Sequence, residues 1–340
     1  MIETRNLWFG YDKAEVLRGV NFRAARREVT VLMGRNGAGK TTLLMHLNGL
    51  LKPRRGEIRV DGKKVSYDRK SLIELRKKVA YVFQNPDDQI IAPTVSQDVA
   101  FGPANLGFKE DELKVIVNEA LRVVGLEGYE RRLCSTLSGG EKKKLAIASA
   151  IAMDPEYVIM DEPTAGVDAL GFKAVVEIVE RLRGRGKGLI VSTHDFDLAK
   201  AIGDKFVFMD AGKVVYEGDE IDFSLARKLG IRTFQSGKLI VVPHNTGIPD
   251  VSADFVAAMG YKAKERAMKE GINVDITSTV LERSILRAIE GHTVLLICSA
   301  EMLNVVRREV VKFPVYFEIL EDGKTRVEVK SIGDFNSCVG

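Results

Sequence analysis

Eight consecutive residues, Gly34-Arg35-Asn36-Gly37-Ala38-Gly39-Lys40-Thr41, satisfy the spacing G-x-x-x-x-G-K-[ST]. An apolar strand pattern precedes them and an amphipathic helical pattern follows. In that setting the glycines let the backbone curl, so that successive amide N–H groups face a phosphate chain at a helix N-terminus. Lys40 then contacts the β- and γ-phosphates and the Thr41 hydroxyl ligates Mg²⁺, with Thr42 the next residue of the helix start. The chemistry is that of a nucleoside triphosphate gripped by its phosphates.

Two further clusters belong with it. Val158-Ile159-Met160-Asp161-Glu162 reads as a buried strand ending in two acids. Carboxylates at the C-terminal end of a parallel strand stand where such sheets bind ligands. There Asp161 can hold Mg²⁺ through water and Glu162 can polarise an attacking water. Leu137-Ser138-Gly139-Gly140-Glu141 opens a helix, with Ser138 at the N-cap and Glu141 three residues on, as in a capping box. Two readings stand: a well-capped helix, or a second anion-binding helix terminus, 98 residues after Lys40.

The elements that carry these residues follow from periodicity. Residues 2–9, 17–23 and 28–33 are β-rich runs at the start, and 56–60 followed by Asp61-Gly62 is a strand and its turn. Residues 40–50 and most of 98–152 have helical spacing, whereas 157–160, 189–192 and 206–209 are short, nearly all-apolar strands with helical stretches between. Short buried strands alternating with helices make a parallel sheet covered on both faces. The chain has 340 residues, 45% apolar and 29% charged, with 51 Lys or Arg against 47 Asp or Glu. That surplus does not predict nucleic-acid binding. Cys134, Cys298 and Cys338 are too few and scattered for a disulfide framework or zinc site. No apolar stretch is long enough for a membrane span and the start lacks a signal-peptide pattern. A soluble, intracellular, two-domain protein is expected.

Further positions complete a pattern: Gln84 in Val82-Phe83-Gln84, the run from Asp161-Glu162-Pro163-Thr164 to Ala165-Gly166-Val167-Asp168, and Ser192-Thr193-His194-Asp195. Together with the phosphate loop and the Ser138 segment, and in this order, they resemble the ATP-binding subunit of ABC transporters over about residues 1–220. The resemblance implies an α/β fold: a P-loop ABC ATPase cassette with a mixed-sheet core, an antiparallel N-terminal subdomain and a helical subdomain. The cassette would span 1–222, with its helical subdomain over about 85–155. It also implies ATP and Mg²⁺ as ligands. Lys40, Glu162 and His194 would carry catalysis, and Thr41, Gln84 and Asp161 would hold the metal. Tyr11 lies where the family places an aromatic against adenine. A second cassette would pair head to tail, each ATP lying between one phosphate loop and the partner's Ser138, Gly139, Gly140 and Glu141, while Asp168 links the two sites. One departure stands out: Glu141 and Lys142-Lys143-Lys144 occupy positions where the family most often has Gln and an Arg-containing helix. Glu141 thus brings a negative charge toward a triphosphate.

The segment from Asn85-Pro86-Asp87-Asp88-Gln89-Ile90-Ile91 to Gly107 is similar to the energy-coupling-factor group of importers, and within it to the cobalt and nickel type. In that group this region docks a helix of the transmembrane energy-coupling subunit, which works with a substrate-specific membrane subunit. Asn85 to Asp88 favour a turn and Ile90-Ile91 form a small apolar patch. The resemblance therefore implies an ATPase peripheral to the cytoplasmic face of the cell membrane, powering import of cobalt or another divalent transition metal, with no nucleic acid as partner. A vitamin importer of the same group, or a non-transport ABC ATPase of RNA or DNA processing, are the alternatives.

A second, smaller α/β pattern covers 236–340, with strands expected at 239–242, 294–298, 315–320 and 326–330 and helices at 252–269, 280–290 and 300–311. Dimerisation or regulation by a small ligand is its expected role. His244, Asn245 and Thr246 after the first strand, with 247–250, read either as a ligand loop or as a plain connection. Asp275, Thr277, Ser278 and Thr279 read as helix-capping residues and His292 as a turn residue.

Overall fold

The computed structural model describes residues 1–12, 14–229, 238–246, 253–276, 278–289, 293–310, 316–321 and 324–328. Among the positions singled out above, 247–250, Thr277, His292 and Cys338 lie outside the described residues. The chain divides into two compact units, Met1–Arg232 and Thr233–Gly340.

In the first unit, β1 (Ile2–Tyr11) and β2 (Ala14–Ala24) form an antiparallel pair, followed by β3 (Val29–Gly34) and α1 (Lys40–Leu47). Next come β4 (Arg55–Val60), β5 (Lys63–Lys64), α2 (Arg69–Lys78) and β6 (Val79–Val82). Three helices follow: α3 (Val95–Asn105), α4 (Glu110–Val124) and α5 (Gly139–Ile151). The chain then alternates through β7 (Tyr157–Asp161), α6 (Ala169–Gly184), β8 (Gly188–Thr193), α7 (Phe196–Ile202) and β9 (Lys205–Asp210). It closes with β10 (Lys213–Gly218) and α8 (Phe223–Lys228).

Two sheets result. The antiparallel sheet runs β2-β1-β4-β5, and the six-stranded sheet runs β10-β9-β3-β8-β7-β6, parallel except at β9/β10. Every residue of β3, β7 and β8 is buried, as a parallel strand covered on both faces requires. β3 follows the antiparallel pair in sequence but joins the parallel sheet between β9 and β8. The order β3-β8-β7-β6 sets the C-terminal ends of four neighbouring strands side by side, and the phosphate loop, His194, Asp161-Glu162 and Gln84 lie at those ends.

The second unit contains β11 (Lys238–Pro243), β12 (Phe255–Met259), α9 (Tyr261–Lys269), α10 (Val280–Ile289), β13 (Val294–Cys298), α11 (Ala300–Val310), β14 (Tyr316–Glu321) and β15 (Lys324–Glu328). Its sheet order is β12-β13-β11-β14-β15, parallel except for β15. α10 and α11 pack on one face through Leu281, Ile285 and Val306, and α9 on the other through Ala263 and Ala267. The helix expected over 252–269 is a correction: its first half is strand β12, and only Tyr261–Lys269 is helical. Ala257 and Ala258 are wholly buried, one beneath each helical layer, where small side chains fit a two-sided strand. Gly260, at φ 93°, turns the chain between the two elements. The Asp275 carboxylate accepts from the Val256 amide at 2.8 Å and so pins the start of β12.

Candidate active site

The phosphate loop is shaped by backbone demands that three of its glycines meet. A Cβ on Gly34 would stand 2.4 Å from the Met209 carbonyl oxygen, and Gly37 and Gly39 sit at φ 82° and 100°. Side chains at the latter two would be strained regardless of space. The loop curls around a cavity of about 250 Å³ lined by Val16, Arg35, Asn36, Thr41, Thr42, Gln84, Glu162 and His194, among others. Arg35 and Asn36 are exposed and Ala38 is buried beneath the loop. Lys40 is 7% exposed, and its Nζ donates to the Gly34 carbonyl at 2.8 Å. That bond aims the ammonium along the loop.

β7 delivers the acids. Asp161 is buried; the Ser192 hydroxyl donates to its Oδ1, and the Tyr81 hydroxyl donates to its Oδ2 at 3.2 Å. Burial, and then the neighbouring Asp161 charge, push the Tyr81 hydroxyl pKa well above its ordinary value, so tyrosine stays the donor. Glu162 takes a left-handed backbone, φ 46°, unusual for glutamate. Its amide donates to Ser192, to the carbonyl at 3.1 Å and to Oγ at 3.0 Å, and these bonds hold the turn in place. The carboxylate then lies between two cations or potential cations: Lys40 Nζ at 3.6 Å from Oε1 and His194 Nδ1 at 2.9 Å from Oε2. His194 leaves the end of β8, which lies between β3 and β7, so the topology alone puts it between Lys40 and Glu162. With Nδ1 engaged by Glu162, its Nε2 is the ring nitrogen left for a ligand.

Gln84 follows β6 and lines the same cavity. Its carbonyl accepts from Lys143, an ammonium on α5 in a residue only 3% exposed. Burial lowers the Lys143 pKa, while the Asp161 and Glu162 charges oppose that shift. Nothing in the local sequence Lys142-Lys143-Lys144 distinguishes the buried lysine from its neighbours; only the helix register does.

Six of the sequence-derived candidates fall elsewhere. Ser138 and Glu141 form a full capping box, Ser138 N to Glu141 Oε2 at 2.7 Å and Glu141 N to Ser138 Oγ at 3.3 Å. Gly139 and Gly140 face open space. Within one chain this segment does not line the phosphate-loop cavity; Gly139 instead borders a neighbouring one of about 420 Å³ with Gln84, Asp87, Lys142, Lys143 and Gly166. Asp168 caps α6, accepting from the Gly171 amide at 2.8 Å. Tyr11 is half exposed, with its ring edge-on to Phe9 at 5.1 Å, and Val16 is the apolar residue that borders the cavity. Asp98, missed in the sequence, organises the segment after Gln84. Buried in α3, it accepts from the amides of Ile91 and Ala92 at 2.9 and 3.1 Å and from the Ser149 hydroxyl at 2.7 Å. Ile91 is left 63% exposed by this loop, whereas Ile90 packs on the core. Among the described residues no helix is long and apolar enough to cross a membrane.

A strand-loop-helix phosphate cradle, an acid pair at the next-but-one strand end and a histidine between them define a nucleoside-triphosphate-hydrolysing cassette. Residues 17–165 match the ABC transporter family. A protein of Archaeoglobus fulgidus, provisionally named an ABC transporter ATP-binding protein, is 54% identical over 94% of this chain and all of its own length. The energy-coupling factor transporter ATP-binding protein EcfA of Methanocaldococcus jannaschii is 47% identical over 71% of this chain and 88% of its own. Among solved structures, cbiO1 from Clostridium perfringens, part of the ABC transporter complex cbiONQ, superposes with a TM-score of 0.61 at 35% identity, over 68% of this chain and 94% of that one. The chain belongs to the ABC transporter family, among the ATP-binding subunits of the energy-coupling-factor group, and is an ATPase.

Proposed function

We propose that the chain hydrolyses ATP, with Mg²⁺, to drive an energy-coupling-factor importer of cobalt or another divalent transition metal from the cytoplasmic face of the membrane. The observation that carries the catalytic part is the convergence of Lys40, Glu162, His194 and Gln84 on one cavity from four adjacent strand ends. Lys40 and the loop amides bind the phosphates. Glu162, held by His194 and Lys40, accepts the proton of the attacking water, and His194 Nε2 contacts the γ-phosphate. Thr41 and Gln84 line the cavity and would hold a magnesium ion there, with Asp161, buried at the end of β7, reaching it through water. A hydroxyl, a carboxamide oxygen and a carboxylate are hard donors of the kind it takes beside phosphate oxygens and water, and it would supply charge neutralisation to the phosphates.

The placement of Ser138, Gly139, Gly140 and Glu141 outside that cavity supports a second cassette as the donor of this segment, with Asp168 between the two sites. The exposed Ile91, on a loop fixed by Asp98, supports docking of a helix from a membrane subunit. The metal cargo rests on the likeness to the cobalt and nickel type. The deciding experiment is affinity capture from gently solubilised membranes of the native host. Recovery of a helical membrane subunit with a small metal-binding membrane protein is expected, and recovery of ribosomes, nucleic acid or soluble enzymes alone would overturn the transport reading.

A further inference from the structure

In the second unit three adjacent parallel strands, β12, β13 and β11, end at Gly260, Ser299 and His244. Met259 and Pro243 both stand opposite Cys298, so the three ends are level. Backbone bonds tie them together: Ser299 N donates to the Met259 carbonyl at 3.1 Å and His244 N to the Cys298 carbonyl at 2.8 Å. Ligands of open parallel sheets sit outside such C-terminal ends.

Four features of this edge point to an anion. α9 starts directly after Gly260 with no side-chain cap and no acidic residue in its first turn, so its leading amides are donors without partners. Gly260 leaves room in front of them: at φ 93° a side chain there would be strained, and its Cβ would stand 2.7 Å from Ser299 Oγ. Ser299 is only 4% exposed, yet its hydroxyl, turned toward that gap, makes no hydrogen bond among the described residues. One strand over, His244 Nδ1 is enclosed and has no hydrogen-bond partner among the described residues. A buried unpaired polar group costs about 1–3 kcal/mol, a cost that an occupant of this edge would offset. The edge is also stiffened. Arg266, on α9, donates to the carbonyls of His244 at 2.8 Å and Thr246 at 2.5 Å, and the Thr246 hydroxyl donates to the Pro243 carbonyl at 2.7 Å. The carbonyls of Pro243, His244 and Thr246 are thereby occupied. α11, by contrast, opens with Glu301, which places the anion over α9.

We infer that the strand ends Gly260, Ser299 and His244 form a binding site for the phosphate group of a small molecule. The inference concerns the second unit alone and stands independently of the ATPase reading. Amide hydrogen exchange of the full chain, with and without inorganic phosphate, tests it. Several-fold slower exchange is expected at the first turn of α9, and Ser299→Ala should abolish that slowing. The phosphate loop at 34–42 serves as an internal control in the same sample, since its slowing should survive the substitution. Adenosine monophosphate as a second probe separates the sources: slowing by both ions reads as a free-phosphate site, and slowing at lower concentration by the nucleotide reads as a nucleotide site. An α9 turn that exchanges at the same rate with both probes, while the phosphate loop responds, would overturn the inference. So would slowing that persists unchanged in Ser299→Ala.

Discussion

Lys40 Nζ stands 3.6 Å from Glu162 Oε1, and both side chains are less than a tenth exposed. The proposed phosphate-binding cation and the proposed base are thus an ion pair, at a site whose other wall is the exposed His194. Entry of a triphosphate gives Lys40 a competing anion and leaves Glu162 free to take a proton. Glu162→Gln keeps the shape and removes the base. Turnover is expected to fall by about 10²–10⁴-fold, the range of a lost general base, with ATP binding retained and an ATP-bound dimer accumulating on gel filtration. Unchanged hydrolysis in that variant would remove Glu162 from the mechanism.

Lys143 connects two parts proposed to act on different nucleotides. It sits on α5, whose N-terminus is proposed to face the partner's ATP, and it holds the carbonyl of Gln84 in its own site. Lys143→Met preserves most of the buried stem and removes the donor. Because burial already disfavours the Lys143 charge, the variant is expected to fold with little loss of stability. A fall of about tenfold in kcat with little change in KM for ATP is expected, the signature of an interaction made in the transition state. Lys143→Gln, which can still donate, should recover part of the loss.

What could be read in advance follows from how local each determinant is. The phosphate loop is legible because glycine positions and a following lysine are backbone requirements written in eight consecutive residues. Strands β7, β8 and β9 are legible because burial on both faces demands an apolar run. β12 was not, since Ala257 and Ala258 are helix formers by propensity and only the layers on either side make them strand residues. Asp98 and Lys143 owe their roles to partners 51 and 59 residues away, Ser149 and Gln84. No periodicity in the flanking sequence records such contacts. The glutamate at position 141 has a local account, because its carboxylate serves the amide of Ser138.

That capping role gives Glu141 a pH signature. Hydrogen bonding from the Ser138 backbone, followed by its side chain, holds the carboxyl below the ordinary glutamate value of about 4.3. A depressed folded pKa means that the contribution to stability is complete above the ordinary value and is lost as pH falls through the folded one. Glutamine can close the same box. Glu141→Gln should therefore leave stability near neutrality within about 0.5 kcal/mol of the parent and flatten its decline in acid, as measured by urea unfolding at both pH values. Removing a negative charge from the segment proposed to meet a triphosphate should also tighten ATP-driven dimerisation.

The two isoleucines after Gln84 separate docking from folding. Ile91 is exposed on a loop whose amide is fixed by Asp98, so an aspartate there disturbs nothing within the chain. Ile91→Asp is expected to leave the melting temperature and ATP binding unchanged while abolishing co-purification with the membrane subunit. Ile90 packs against the core of the helical region. Ile90→Asp buries a charge and should cost about 1–3 kcal/mol of stability, seen as a lowered melting temperature whether or not the membrane subunit is present. Intact co-purification of Ile91→Asp would show that the membrane subunit grips another surface, since the loop itself would still be held in place by Asp98.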